Sequence, residues 1–293
     1  MSGGLAQGAQ PREAPAVAPP PAAPGRRDDA PPPWRRGLAA TGRFAKRRIS
    51  FLCVLAAASW GVLREAVRPL SWRRTVRHEF RITMRQATIG GLATTFVTAS
   101  LTGFAMVSQA LYWLGVAGQA GLAGSLLVTV LVRELTPLLV GLILLGRSGM
   151  LTLTEFGMLK VGGQVRTMIS QGIDPFLLLV LPRTLAMSLS GFTLGILFAT
   201  VALVMGFIVS AALGTTQDSL WTFLDKVVSA MTVQDYMVIP AKLFAIGYLV
   251  GLSSCLTGLT AKPEDDLASL MPRGFVRGIL VIMVTSILLT LAV

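Results

Sequence analysis

Residues 126–146 read LLVTVLVRELTPLLVGLILLG, an apolar helical stretch interrupted by one adjacent ionisable pair, Arg133 and Glu134. A charge at a bilayer centre costs at least ~2.5 kcal/mol on insertion scales, so a pair retained there has a function or a specific partner. Neighbouring residues on a helix point about 100° apart and cannot neutralise each other on one face. At least one of the two is therefore expected to face a cavity or a partner subunit.

Downstream the chain turns polar through Gly146-Arg147, Glu155, Lys160, Gln164, Arg166, Gly172 and Asp174-Pro175 to Pro182-Arg183, then becomes apolar again. A polar insert between two long hydrophobic segments is expected on the cytoplasmic side. Composition puts the whole chain in the integral membrane class: 53% of residues are hydrophobic, 14% are charged, and the mean hydropathy is +0.67. In a soluble chain the net charge of +12 would suggest nucleic acid. Here the basic excess lies mostly before residue 86, where the positive-inside rule places it against cytoplasm or anionic headgroups, so nucleic acid is excluded.

No charge occurs from Gln86 to Val132. That interval is expected to hold one helix to about Trp113, a turn rich in glycine (Gly115, Gly118, Gly121, Gly124) and the start of the helix bearing Arg133. Residues 176–213 are long enough to span with tilt, and Gly191-x-x-x-Gly195 and Gly247-x-x-x-Gly251 permit close helix approach. The connection 214–235 carries Asp218, Asp225 and Asp235 against Lys226, which suits the outer side. Residues 236–261 then return inward with Lys242 near the outer end, and 274–293 run outward to the C-terminus.

Residues 1–48 are rich in Pro and Ala and bury too little apolar surface to offset their ordering entropy, so this arm is expected to be disordered. Lys46-Arg47-Arg48 followed by ISFLCVLAAASWGVL imitates a signal peptide. The apolar run is about 15 residues, short of the ~20 of a spanning helix, and is expected to be an uncleaved interfacial helix. Arg73, Arg77, Arg81 and Arg85 recur every four positions and form a cationic stripe facing headgroups. Residues 49–85 are thus expected to be interfacial and basic helices, and 86–293 a transmembrane domain with a cytoplasmic segment at about 147–175.

Catalytic motifs are lacking. Gly141-LILL-Gly146-Arg147-Ser148 is one residue from a phosphate-binding loop, but it has no lysine, follows no strand and lies in a membrane helix. The single histidine, His78, has only its neighbour Glu79 as a carboxylate nearby, and Cys53 and Cys255 form no metal or disulfide pattern and are expected to pack. With no nucleophile triad and no Cys/His cluster, the chain is expected not to be an enzyme. Any chemical energy must come from another chain.

Four spaced patterns converge on one family. Arg133-Glu134-Leu135-Thr136-Pro137, Thr154-Glu155-Phe156-Gly157-Met158-Leu159-Lys160, Ile173-Asp174-Pro175 and Pro182-Arg183 resemble, in order, motifs of the MlaE/YrbE-type permeases. Those are membrane subunits of ABC transporters that move lipids across the bacterial envelope. The resemblance covers roughly residues 70–293 and departs from the family at Thr136, which replaces glycine, and at Met158, which comes one place early. It departs again at Gly162-Gly163-Gln164-Val165-Arg166, where relatives carry acidic residues.

The resemblance implies an all-α integral membrane fold, an N-terminal interfacial helix plus about five transmembrane helices, assembled as a homodimer around a lipid cavity. It also implies a separate cytoplasmic ABC ATPase that uses ATP-Mg, with no cofactor bound by this chain. The resemblance further implies a periplasmic MCE-domain lipid-binding subunit and a small cytoplasmic STAS-type subunit as companions. The implied location is the bacterial inner membrane, N-terminus cytoplasmic and C-terminus periplasmic. Residues 160–174 correspond to the coupling helix on the ATPase, so Glu155, Lys160, Gln164, Arg166, Gly172, Asp174 and Pro175 are candidates for coupling. Two adjacent glycines weaken a helix by roughly 1 kcal/mol each, so the element is expected to be short or hinged.

For the substrate, Arg133 is expected to hold a lipid phosphate, with Glu134 limiting that affinity or bonding a neighbouring helix. An intersubunit ion pair without ligand is the other reading. Gln109, Tyr112 and Trp113 either line an acyl path or form an aromatic belt. Two further classes stay open: a secondary transporter with Glu134 as its ion site, and a membrane scaffold that transports nothing.

Overall fold

The computed structural model describes residues 33–68, 73–119, 122–214, 219–261 and 267–291. In chain order the helices are α1 (Pro33–Val67), α2 (Arg74–Val116), α3 (Ala123–Val161), α4 (Gln164–Ser170), α5 (Phe176–Ala212), α6 (Leu220–Ser229), α7 (Val233–Leu259) and α8 (Leu267–Leu291). No strand occurs among the described residues.

The chain divides into two units, Met1–Ser50 and Phe51–Val293. Of the first unit, residues 33–50 are described, and they are helical. Pro33 opens the helix, where its missing N–H costs nothing, and the Ala, Leu and Arg residues that follow are good helix formers. Helix thus begins inside the stretch read as an arm; residues 1–32 lie outside the described residues.

Among the described residues, six helices are long and apolar enough to cross a membrane. Five coincide with the spans read from sequence. The sixth, Ser50–Val67, is the end of α1, whose helical run of 18 residues exceeds the stretch read as interfacial. Its inner face carries Leu55 and Val62, buried with Val76, Phe156, Leu179, Leu252 and Cys255. The Tyr248 hydroxyl donates to the Ser59 carbonyl (2.8 Å), and the Arg277 guanidinium sits 4.7 Å from the Phe51 ring centroid. A Cβ on Gly61 would touch the Phe176 ring at 3.5 Å. Cys255 packs as expected, whereas Cys53 is exposed.

Packing between spans depends on small residues. Buried positions of α2 recur every fourth residue, Thr83, Ala87, Gly91, Thr95, Ala99, Gly103 and Val107, forming one ridge against α5. A Cβ on Gly103 would run into the Ala202 carbonyl, and one on Gly206 into Val107. The two glycine pairs read from sequence face each other across α5 and α7: a Cβ on Gly191 would lie 3.2 Å from the Gly247 Cα, and one on Gly247 2.6 Å from the Met187 carbonyl oxygen. Away from these seams Ile89, Phe96, Leu101, Ile196, Ile208 and Ile287 are exposed, an apolar surface that suits lipid.

The polar insert is short and hinged. Gly163 at φ +73° breaks the chain after α3, α4 lasts seven residues, and Gly172 turns at φ +73°. Asp174 Oδ1 then accepts the Phe176 N–H (2.9 Å) and starts α5 beside Pro175. The connection read as 214–235 holds α6, which buries Phe223 and Val227 and is capped by Ser219. Asp218, together with Lys262, Glu264, Asp265 and Asp266, lies outside the described residues.

Candidate functional site

Within α3 the stretch Leu127–Leu135 is π-helical, an arrangement common at functional positions, and Pro137 follows it. Pro137 has no N–H to offer the Arg133 carbonyl four residues back, and the side chain of Lys242 takes that role at 3.1 Å. Lys242 is completely buried, and its ammonium uses all three donors: the others go to Glu134 Oε2 (2.9 Å) and Thr290 Oγ1 (2.9 Å). The Thr290 hydroxyl in turn donates to Glu134 Oε1 (2.9 Å), so α3, α7 and α8 meet at one carboxylate.

Arg133 turns to a different partner. Its Nη1 lies 3.6 Å from Asp235 Oδ1, and Asp235 also accepts the Thr232 N–H (2.9 Å) in the capping box that begins α7. Within the chain α7 thus supplies a counter-charge to each of the two, while the Arg133 and Glu134 side chains keep 24% and 34% of their surface exposed. Asp235 and Lys242 lie two helical turns apart and so share a face, while Arg133 and Glu134 diverge and reach that face at separate points. One donor remains open, since Arg133 Nε is buried without a hydrogen-bond partner.

A cleft of about 510 Å³ opens between the outer parts of α2 and α3, with Met106, Gln109 and Trp113 on one wall and Leu127, Val130 and Leu131 on the other. Its volume is within the ~300–1,000 Å³ of small-molecule sites. Trp113 Nε1 donates to Gln109 Oε1 (3.0 Å), which engages the indole N–H and the amide oxygen, and the rest of the lining is almost wholly apolar. Tyr112 is outside the lining; its ring stands edge-on to Trp113 at 5.6 Å and is half exposed. Val130 and Leu131 of the lining lie about one turn before Arg133 and Glu134 along α3, and neither charged residue lines the cleft itself.

At the other end of α3 and α5, Arg183 pairs with Glu155 and stacks over Phe156, 4.8 Å from the ring centroid. This contact closes the base of the insert. Lys160, Gln164, Arg166, Gly172 and Asp174 are exposed around α4, with Pro175 half-buried. The structure thus brings Gln109 and Trp113 together, and sends Arg133 and Glu134 to separate partners on α7. Sequence reasoning missed Asp235, Lys242 and Thr290 as their partners, although opposite charges seven positions apart in α7 were the available signal.

A family profile described as permease MlaE matches residues 80–292. A probable ABC transporter permease protein of Synechocystis sp. is 27% identical over 183 residues, 61% of this chain and 69% of the relative. A probable ABC transporter permease protein of Pyropia yezoensis is 23% identical over 203 residues, 64% of this chain and 76% of the relative. The chloroplast protein TRIGALACTOSYLDIACYLGLYCEROL 1 of Arabidopsis thaliana is 26% identical over 199 residues, 68% of this chain and 55% of the relative. With spans, motifs and profile in agreement over most of its length, the chain is a multi-pass membrane protein that belongs to the MlaE permease family.

Proposed function

We propose that the chain is the membrane subunit of an ABC transporter that moves a phospholipid or related lipid between the bacterial inner membrane and its periplasmic side. The observation that carries this reading is the apolar cleft between α2 and α3, wide enough for a small ligand and about one helical turn from Arg133 along α3. An acyl chain suits the Met106, Trp113, Leu127 and Val130 surface, and the guanidinium of Arg133, whose side chain keeps 24% exposure about one turn further along α3, suits a lipid phosphate. A relative named for the lipid trigalactosyldiacylglycerol supports the same substrate class.

Two copies enclose the lipid path, and a separate cytoplasmic ATPase hydrolyses ATP-Mg; a periplasmic MCE-domain subunit and a small STAS-type subunit complete the assembly. The exposed side chains of Lys160, Gln164 and Arg166 around α4 form the contact with the ATPase. Movement there passes to α3 and α5 through the Glu155–Arg183 pair at the base of the insert. An ion-coupled mechanism at Glu134 is set aside, because Lys242 and Thr290 already hold that carboxylate.

The test fills the cleft. In proteoliposomes containing the ATPase, Val130→Trp is expected to lower transfer of labelled phospholipid about tenfold, equivalent to ~1.4 kcal/mol on the barrier, with ATP hydrolysis retained. Unchanged transfer in that variant overturns the cleft as the lipid path.

A further inference from the structure

We propose that α2 and α3 build a second lipid site, for the phosphate of an anionic phospholipid headgroup in the inner leaflet, centred on Arg147. It is independent of the transport reading and lies about 28 Å along α2 from Gln109 in the outer cleft.

Arg147 lies in a second π-helical stretch of α3, Leu145–Gly149, and reaches across to α2. A Cβ built on Gly90 would lie 2.8 Å from its Nη2 and 3.0 Å from its Cζ and Nε, so the guanidinium rests on α2 where Gly90 offers no side chain to hold it off. Arg147 is exposed. Among the described residues none bonds it, which leaves its donors free for an anion. A planar guanidinium fixed in this way binds a phosphate through two parallel hydrogen bonds.

The surroundings add the rest of a headgroup site. Gln86, one turn before Gly90 and on the same face of α2, is exposed, while exposed Arg85 and Arg81 point to other faces of the helix and add positive charge to this end of α2 without joining the site. The carboxylates on both helices are remote or engaged. Glu79 is about 16 Å along α2 from Gly90, and Glu155 pairs with Arg183.

Depth separates a lipid from free phosphate. Counted at ~1.5 Å per residue, Arg147 is about 36 Å from Ala123 and Gly90 about 39 Å from Val116, both at the far edge of a ~30 Å hydrocarbon core. Ile89 (58% exposed), the residue before Gly90, gives acyl chains an apolar surface at the same depth that a soluble anion would not use.

The experiment titrates the purified full chain in detergent with dioleoyl phosphatidylglycerol or dioleoyl phosphatidylcholine and reads lipid adducts by native mass spectrometry. Phosphatidylglycerol is expected to bind in preference, and Arg147→Ala to weaken it about tenfold while leaving phosphatidylcholine unchanged. Gly90→Ala displaces only the flexible end of Arg147, so the fold is kept and the preference falls in the same direction by less. Arg74→Ala removes an equal charge about 24 Å from Gly90 and is expected to leave the preference intact. Preference retained in Arg147→Ala, or lost equally in Arg74→Ala, overturns the site in favour of a diffuse cationic rim. Displacement of phosphatidylglycerol by millimolar inorganic phosphate overturns the lipid as its ligand.

Discussion

The two charges in α3 are unequal in what they leave behind when removed. Lys242 has no solvent exposure, whereas the Glu134 side chain keeps 34%, so Glu134 can hydrate if its partner is lost and Lys242 cannot. Glu134→Ala is expected to cost about 3–5 kcal/mol, the penalty for a stranded buried charge, and Lys242→Met clearly less. Combining the two substitutions should recover much of the loss, because the pair acts as a unit. Melting temperatures of the four proteins in detergent check this, and equal losses from the single variants would contradict it. At this scale the sequence made Arg133 and Glu134 conspicuous, since charges in oil need a reason. Their partners were harder to see: Asp235 sits among the acidic residues of an outer connection, Thr290 carries no charge, and Lys242 acquires its third acceptor only through the proline four residues beyond Arg133.

Helix pairing is decided by where side chains are absent. A Cβ on Gly247 would meet the backbone of α5 on two sides, 2.6 Å from the Met187 carbonyl oxygen and 3.0 Å from the Ser188 Cα, and neither can yield as a flexible side chain would. Gly247→Ala should therefore destabilise by about 1–3 kcal/mol, the range for overpacking. Gly115→Ala, with nothing within 4 Å, should be neutral or stabilising by up to ~1 kcal/mol. Thermal melting of both variants checks the contrast, and a loss at Gly115 as large as at Gly247 would refute it. The two glycine pairs were legible as spacings, and the hinge at Gly162-Gly163 as a helix weakness that the structure realises at φ +73°. The fourfold ridge of α2 escaped because its members mix Thr, Ala and Gly, so no single residue type marks the repeat. Helix α6 escaped because its ten residues fit within a stretch read as connection.

For the molecule as a whole, the end of α1 is the one element whose length and contacts pull apart. Ser50–Val67 is long enough to cross, yet its contacts lie at inner-half positions of the other helices. Gly61 meets Phe176 at the start of α5, Ser59 meets Tyr248 about 16 Å from the inner end of α7, and Phe51 meets Arg277 about 15 Å from the start of α8. A perpendicular span would bring one end to the outer face, some 27 Å from the other. Charge argues the same way: Arg35, Arg36, Arg43, Lys46, Arg47 and Arg48 precede the segment and the Arg73–Arg85 stripe follows it, so both flanks belong on the cytoplasmic side. The segment is therefore expected to lie in the inner leaflet without crossing, which keeps the N-terminal arm inside while α2, α3, α5, α7 and α8 carry the C-terminus out. In a background with the exposed Cys53 replaced by serine, Gly42→Cys should react with a membrane-impermeant maleimide in inverted vesicles and not in intact cells, and Leu291→Cys should do the reverse. Labelling of Gly42→Cys from outside intact cells would make Ser50–Val67 a sixth span and place six basic residues on the outer side.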